Sequence, residues 1–307
     1  MSQTMHAIIM FMLALLLCPL LLGIINRVKA KFAGRHGPPL LQKYYDLKKL
    51  LAKDLVYSHT STWIFRACPS VVLGASIAAA VLTPFGAGGG LIAFQGDFLV
   101  WAGAFTMARV AMILAALDVG SSFEGMGGSR EAWYAVLAEP ALFLAMAALA
   151  VISHDFSMSG FFLTLVPEVT AKYFMALLFA ALALFVVSLA ENARIPVDDP
   201  TTHLELTMIH EVMILDHSGP DLALIEYGAA LKLWVMGALA VGAAVPVNTD
   251  NRLLDMACFL GGMFVFAVLI GTVESVMARL RLVRVPQLLL GALVLAALSV
   301  IMVAKNV

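Results

Sequence analysis

The chain has 307 residues, 62% of them hydrophobic and 13% charged, with a formal net charge of −1 and a mean hydropathy of +0.96. Repeated apolar runs of about 20 residues exclude a soluble globular protein and identify a polytopic membrane protein. The cysteines Cys18, Cys68 and Cys258 stand apart inside apolar runs with no CxxC spacing. That excludes a disulfide framework and gives no support for an iron–sulfur or zinc site, so any electron chemistry belongs to a partner.

The first run, MSQTMHAIIMFMLALLLCPLLLG, lacks the basic segment of a signal peptide and is long enough to span, so it reads as a retained first helix. Spans follow at 5–26, 67–85, 98–117, 132–152, 171–190, 227–247, 253–273 and 285–304, each matched to a hydrocarbon core about 30 Å thick. A bilayer admits only helices or closed barrels, and these runs lack period-two alternation. The expected fold is all-α: one membrane domain over 1–307 with eight transmembrane helices and no internal repeat.

Two long connections fall on one side. Residues 27–66 hold nine basic groups (Arg27, Lys29, Lys31, Arg35, Lys43, Lys48, Lys49, Lys53, Arg66) and two acids (Asp46, Asp54), a balance of +7. Residues 191–226 hold eight acids (Glu191, Asp198, Asp199, Glu205, Glu211, Asp216, Asp221, Glu226) and one Arg194, a balance of −7. Arg130, Arg279, Arg281 and Arg284 add to the same side, against Lys172, Arg252 and Lys305 on the other. The positive-inside rule then makes both connections cytoplasmic and puts both termini on the non-cytoplasmic side of a bacterial or archaeal cytoplasmic membrane.

The acidic connection interleaves its charges with Leu204, Leu206, Met208, Ile209, Val212, Met213, Ile214 and Leu215. Asp199-Pro200 reads as an N-cap with Pro at the first helical position, opening an amphipathic helix to about Leu215 that Ser218-Gly219-Pro220 ends. His203, Thr207, His210 and Glu211 share one face of it, opposite Leu204, Met208 and Val212. His203, His210 and His217 recur every seven residues. Seven residues rise about 10.5 Å, too far for two ligands of one zinc, so no metal site is expected. Gly86–Gly90 and Gly125–Gly128 fail the dinucleotide pattern and read as turns.

Ionisable residues within or at the ends of spans are costly in hydrocarbon and need a reason. They are Arg109, Asp118, Glu131, Glu139, Glu191, Glu226, Lys232 and Glu274. Glu139 stands about seven residues into the fourth span and precedes Pro140, which removes a backbone donor and can open the helix to water. With the acidic connection, these groups make a series of carboxylates leading from the cytoplasmic face toward Glu139, the arrangement a proton path requires.

Glu191-Asn-Ala-Arg194-Ile-Pro196-Val-Asp198, with Glu205, Ser218-Gly219 and Glu226-Tyr227 downstream, resembles the third cytoplasmic loop of membrane subunit 1 of respiratory complex I. Arg35-His-Gly37-Pro38, Leu41-Gln42, Asp46 and Lys49-Leu50 resemble its first loop, and the resemblance covers essentially the whole chain. Leu117-Asp118-Val-Gly120-Ser121-Ser122-Phe123, Gly128-Ser129-Arg130-Glu131, Glu139-Pro140 and Glu274-Ser-Val-Met-Ala278-Arg279-Leu-Arg281 are similar to the corresponding subunit of formate hydrogenlyase and other membrane-bound (group 4) hydrogenases. His217 departs from the pattern, standing where Tyr precedes Ser-Gly in the complex I subunit, so part of a quinone cavity wall would differ.

The resemblance implies a non-catalytic membrane subunit without cofactors of its own. It would anchor a soluble arm of hydrogenase-like large and small subunits, holding iron–sulfur clusters and a nickel–iron site, and would start the charged path toward antiporter-like subunits. The acidic funnel would be Glu139, Glu191, Asp198, Glu205, Glu211 and Glu226, with Arg27, Arg35 and Arg194 opposite. Asp118, Glu131, Glu274 and Lys232 join it as the other ionisable groups at membrane depth, and Arg130 joins the docking cations. Three alternatives stand beside this reading: a quinone-reactive complex I-type enzyme, an independent secondary transporter, and a structural anchor with no proton role.

Overall fold

The computed structural model describes residues 3–86, 88–199, 208–246 and 251–306. The described residues form helices and no strands, and eight of the helices are long and apolar enough to cross a membrane. These are α1 (Gln3–Phe32), α3 (Trp63–Leu82), α4 (Asp97–Val119), α5 (Ser122–Ser153), α8 (Phe174–Glu191), α10 (Gly219–Ala244), α11 (Arg252–Val276) and α12 (Val285–Asn306) with the 3-10 turn Leu282–Arg284 before it. Short helices α2 (Gln42–Leu51), α6 (Met158–Leu163), α7 (Pro167–Lys172) and α9 (His210–Met213) lie in the connections. The chain is an all-α multi-pass membrane protein.

At 1.5 Å per residue, the 30 residues of α1 and 32 of α5 run about 45 and 48 Å, well beyond a hydrocarbon core of about 30 Å. The excess of both projects on the side that carries the two long connections, the loop side. Helix α10 is the axis of the bundle, enclosed nearly all round and packed against α1, α3, α8 and α11, while α12 packs on α5 and α8. Its small residues allow close approach, as at Gly228 against Val72 and Ser76 of α3. Pro19 inside α1 cannot donate to the Leu15 carbonyl; Tyr227 of α10 donates its hydroxyl there instead, at 2.8 Å.

Several expectations are corrected. Gly125–Gly128 is not a turn: it lies within α5, which begins ten residues before the expected span, so Glu139 is its eighteenth residue and the helix runs unbroken through Pro140. The amphipathic helix to Leu215 is not formed as expected. Residues 200–207, with His203, Leu204 and Thr207, lie outside the described residues, and the described remainder holds only the single turn α9. Met208 and Ile209 are not helical because the Asp198 carboxylate accepts from the backbone N–H groups of Ile209 (3.1 Å) and His210 (3.2 Å), fixing the turn from outside. Ser218-Gly219-Pro220 opens α10 rather than ending a helix, with Ser218 at the N-cap and Pro220 in the first turn. Asp221 and Glu226 are therefore helical, as are Arg27, Lys29 and Lys31 at the end of α1.

Candidate functional site

Arg109 stands ten residues before the end of α4, about 15 Å along the helix from the loop side. A cation at that depth must be paired. Its Nη1 donates to Glu139 of α5, and its Nη2 lies 2.5 and 2.7 Å from the two oxygens of Glu191, the last residue of α8. Its Nε makes no hydrogen bond and lies 3.4 Å from Oε1 of Glu131, two turns before Glu139 on α5. Lys232 of α10 reaches the same centre, with Nζ 2.7 Å from Glu191 Oε2 and 5.6 Å from the centre of the Phe105 ring.

Four helices thus bring five ionisable groups to one point. Two cations face three carboxylates, so the full set of charges leaves one negative charge unbalanced. Glu191 is enclosed, its side chain 7% exposed and both oxygens engaged. Glu139 is one-third exposed, at the outer surface between α4 and α5. Glu131 is the carboxylate held least tightly, because its nearest cation sits beyond hydrogen-bond geometry.

A series of adjoining cavities with shared walls lies between this centre and the loop side. The mouth, about 330 Å³, is lined by Asn26, Lys43, Arg194, Glu211 and Glu226 among others. It shares Asn192 and His210 with an inner cavity of about 70 Å³ lined by Arg109, Glu131, Glu191 and Lys232. Beyond Arg109 and Glu191, a space of about 20 Å³ reaches Glu139. A water needs about 10–15 Å³ of such space and two or more polar partners, so the inner cavity has room for several and the last for one. At the shared wall, burial pushes the His210 imidazole down to about 4, keeping it neutral near neutrality. Burial, reinforced by Glu226, raises the Glu211 carboxyl.

The other residues singled out in the sequence fall into three groups. Glu211 and Glu226 belong to the mouth, Glu226 in an ion pair with Lys43 at 2.8 Å. Asp198 and Glu274 hold the wall: Asp198 pairs with Arg279 at 2.8 Å, while the fully enclosed Glu274 side chain takes Lys29 at 2.8 Å and Arg194 at 3.5 Å. Asp118 is away from the path, accepting from the backbone and hydroxyl of Thr62 at the start of α3. Arg130 donates to the Met208 carbonyl and Arg27 to that of Pro38; Arg35 is exposed, and Glu205 lies outside the described residues.

Four residues take roles in the path that the sequence did not assign: Arg109, named only as one of the ionisable residues of the spans, is the hub, His210 and Asn192 form the shared wall, and Lys43, named only as one of the basic groups of 27–66, stands at the mouth. Arg109 carried a usable signal, since a lone cation within an apolar run must meet carboxylates from other spans. The other three lie at the ends of elements, and the helical face that the sequence offered for His210 did not point to this wall.

A family model described as NADH dehydrogenase matches residues 5–305. Hydrogenase-4 component C of Escherichia coli (strain K12) is 30% identical over 93% of this chain and 91% of its own length. Formate hydrogenlyase subunit 4 of the same organism is 29% identical over 92% of each. Among solved structures, a chain of the membrane-bound sulfane sulfur reductase, an archaeal respiratory membrane complex, shares the fold with a TM-score of 0.82 at 20% identity, covering 99% of this chain and 100% of its own.

Proposed function

The chain belongs to the NADH dehydrogenase family, and from that membership we propose that it is the membrane subunit of a multi-subunit, energy-converting complex of hydrogenase type. It anchors a soluble iron–sulfur and nickel–iron arm and couples electron transfer there to proton translocation. The relatives named as formate hydrogenlyase subunit 4 and hydrogenase-4 component C support the hydrogenase assignment. The iron–sulfur clusters and nickel–iron site belong to partner subunits; this chain's three cysteines lie on α1, α3 and α11, one to a helix, and do not supply the four thiolates of a cluster. Antiporter-like membrane subunits receive the path beyond Glu139.

One observation carries the proton reading: the adjoining cavities, from the mouth at Glu211 and Glu226 to the unbalanced centre at Arg109, that meet at the shared wall of His210 and Asn192. Three carboxylates against two cations in a buried site are neutral overall once one proton is bound, and burying the uncompensated charge would cost several kcal/mol. Glu131 is the group that takes the proton, because Glu191 is tied to both cations and Glu139 to Arg109 Nη1. Its release toward Glu139 leaves by the side of the bundle that a neighbouring membrane subunit would cover. The balance of Lys and Arg supports a cytoplasmic mouth and termini on the opposite side.

Purification of the chain from its native membrane, with identification of its companions and a hydrogen-evolution assay on the same fraction, tests the assignment. A nickel–iron large subunit, an iron–sulfur small subunit and antiporter-like chains are expected; recovery alone would point to an independent transporter. The quinone-reactive alternative has the mouth in its favour, since about 330 Å³ lies within the size range of small-molecule sites. Quinone-dependent turnover of the purified complex decides it.

A further inference from the structure

After α1 ends at Phe32, the chain doubles back along it. Gly37 lies against Ala30, where a Cβ on Gly37 would sit 2.6 Å from the Ala30 Cβ. The Leu40 carbonyl lies against Gly23, where only glycine fits, because an added Cβ would be 2.0 Å from that oxygen. The Tyr44 hydroxyl then donates to the Leu16 carbonyl at 2.5 Å. From Ala30 to Leu16 is about 21 Å of helix rise. Gly23 and Leu16 belong to the apolar run that spans, so the segment from Leu40 into α2 flanks α1 at the depth of the bilayer and does not lie free above it.

On the outer face of this segment Leu41 (48%), Tyr45 (58%) and Leu51 (58%) are exposed, and Lys48, Lys49 and the following Lys53 are exposed beside them. Lys43, one turn before Leu47, points inward to Glu226. Among the described residues no carboxylate lies within ion-pair distance of Lys31, Arg35, Lys48, Lys49 or Lys53. Four acids of 191–226 are engaged elsewhere, Glu191 with Arg109 and Lys232, Glu226 with Lys43, Asp198 with Arg279 and Asp221 with the Tyr57 hydroxyl. The surplus positive charge of 27–66 is therefore turned outward.

We propose that α2 and the chain on either side of it form a binding surface for anionic phospholipids of the loop-side leaflet. Leu41, Tyr45 and Leu51 sit among acyl chains, and Lys48, Lys49 and Lys53 reach the phosphate headgroups. An aromatic and aliphatic face rimmed by lysines is the composition of an interfacial helix, and lysines near an anionic surface each strengthen its attraction. The lipid is favoured over an acidic protein because the apolar residues of the same face lie beside the spanning part of α1, where a soluble partner would have to displace acyl chains.

The test uses the intact complex in vesicles of phosphatidylcholine and phosphatidylglycerol, with spin-labelled forms of each lipid to measure their relative association. Wild type is expected to prefer phosphatidylglycerol, and Lys48→Gln/Lys49→Gln/Lys53→Gln to lose that preference by a factor on the order of ten or more. High salt should weaken the wild-type preference in the same direction. An unchanged preference in the triple variant overturns the proposal. So does retention of lipid preference with loss of a co-purifying polypeptide, which would make the surface a protein dock.

Discussion

Lys232 Nζ lies 2.7 Å from Glu191 Oε2, so the carboxylate at the end of α8 is held by a cation from the central helix as well as by Arg109. Breaking a buried pair by removing one partner is costly because the other charge stays behind. Lys232→Met should lower the stability of the detergent-solubilised chain by about 3 kcal/mol. Adding Glu191→Gln in the same chain should recover most of that loss, as read from thermal unfolding of the single and double variants.

His217 and His210 make stability depend on pH. Both imidazoles are pushed down to about 4, chiefly by burial; His217 stacks on Phe65 with its ring centroid 4.0 Å away and neither nitrogen hydrogen-bonded. The unfolded chain binds protons at these residues near 6.5 and the folded chain does not until about 4. Stability is therefore complete above about 6.5 and falls as pH drops toward 4, by about 1.4 kcal/mol per unit for each histidine. Glu211 and, in the loop-side extension of α5, Glu124 oppose this: burial raises both carboxyls, Glu124 to about 7, so each adds stability as pH falls through the same window. The histidine contribution is read as a difference: between about pH 7.5 and about 4.5 the melting temperature of His217→Phe should gain on that of wild type as pH falls, and parallel curves would show that His217 contributes nothing.

Tyr227 completes α1 where Pro19 interrupts it. Tyr227→Phe leaves the Leu15 carbonyl with only the weak Cys18 thiol at 3.5 Å, a loss of about 1–3 kcal/mol. Unfolding should shift accordingly while proton movement by the assembled complex stays at the wild-type level.

Gly127 sets the position of the His210 turn. A Cβ there would lie 2.3 Å from Val212 Cγ1 and 2.8 Å from the Ile209 carbonyl, so Gly127→Ala must push α9 away from α5. The expected result is a loss of about 1–3 kcal/mol, the usual cost of overpacking. Labelling of a cysteine introduced at His210 should be faster in the Gly127→Ala background than in the otherwise wild-type chain, which checks the displacement.

The eight spans were legible because each is an apolar run of the length a bilayer demands. The long polar extension of α5 was not, since Gly125–Gly128 imitates a turn; those small residues are there so that α9 can approach and Glu131 can face Arg109. Glu131, Glu139, Glu191 and Lys232 were visible as misplaced charges. Their meeting on Arg109 was not, because the partners stand 30 and 82 residues away and only helix packing brings them together. Asp118, Asp198 and Glu274 looked equivalent to them in sequence, yet they cap or clamp the loop side.

The most direct test of the proton path is proton uptake by the assembled complex in proteoliposomes, driven by its own electron transfer, with Glu131→Gln in this chain. Glutamine removes one carboxylate, leaving two cations against two anions, so the centre stays balanced and the complex should assemble. If Glu131 carries the proton, electron transfer should stay near the wild-type rate while proton movement falls at least about tenfold, within the range expected when a positioned proton-transfer group is lost. Proton movement at the wild-type rate in that variant would contradict the role given to Glu131.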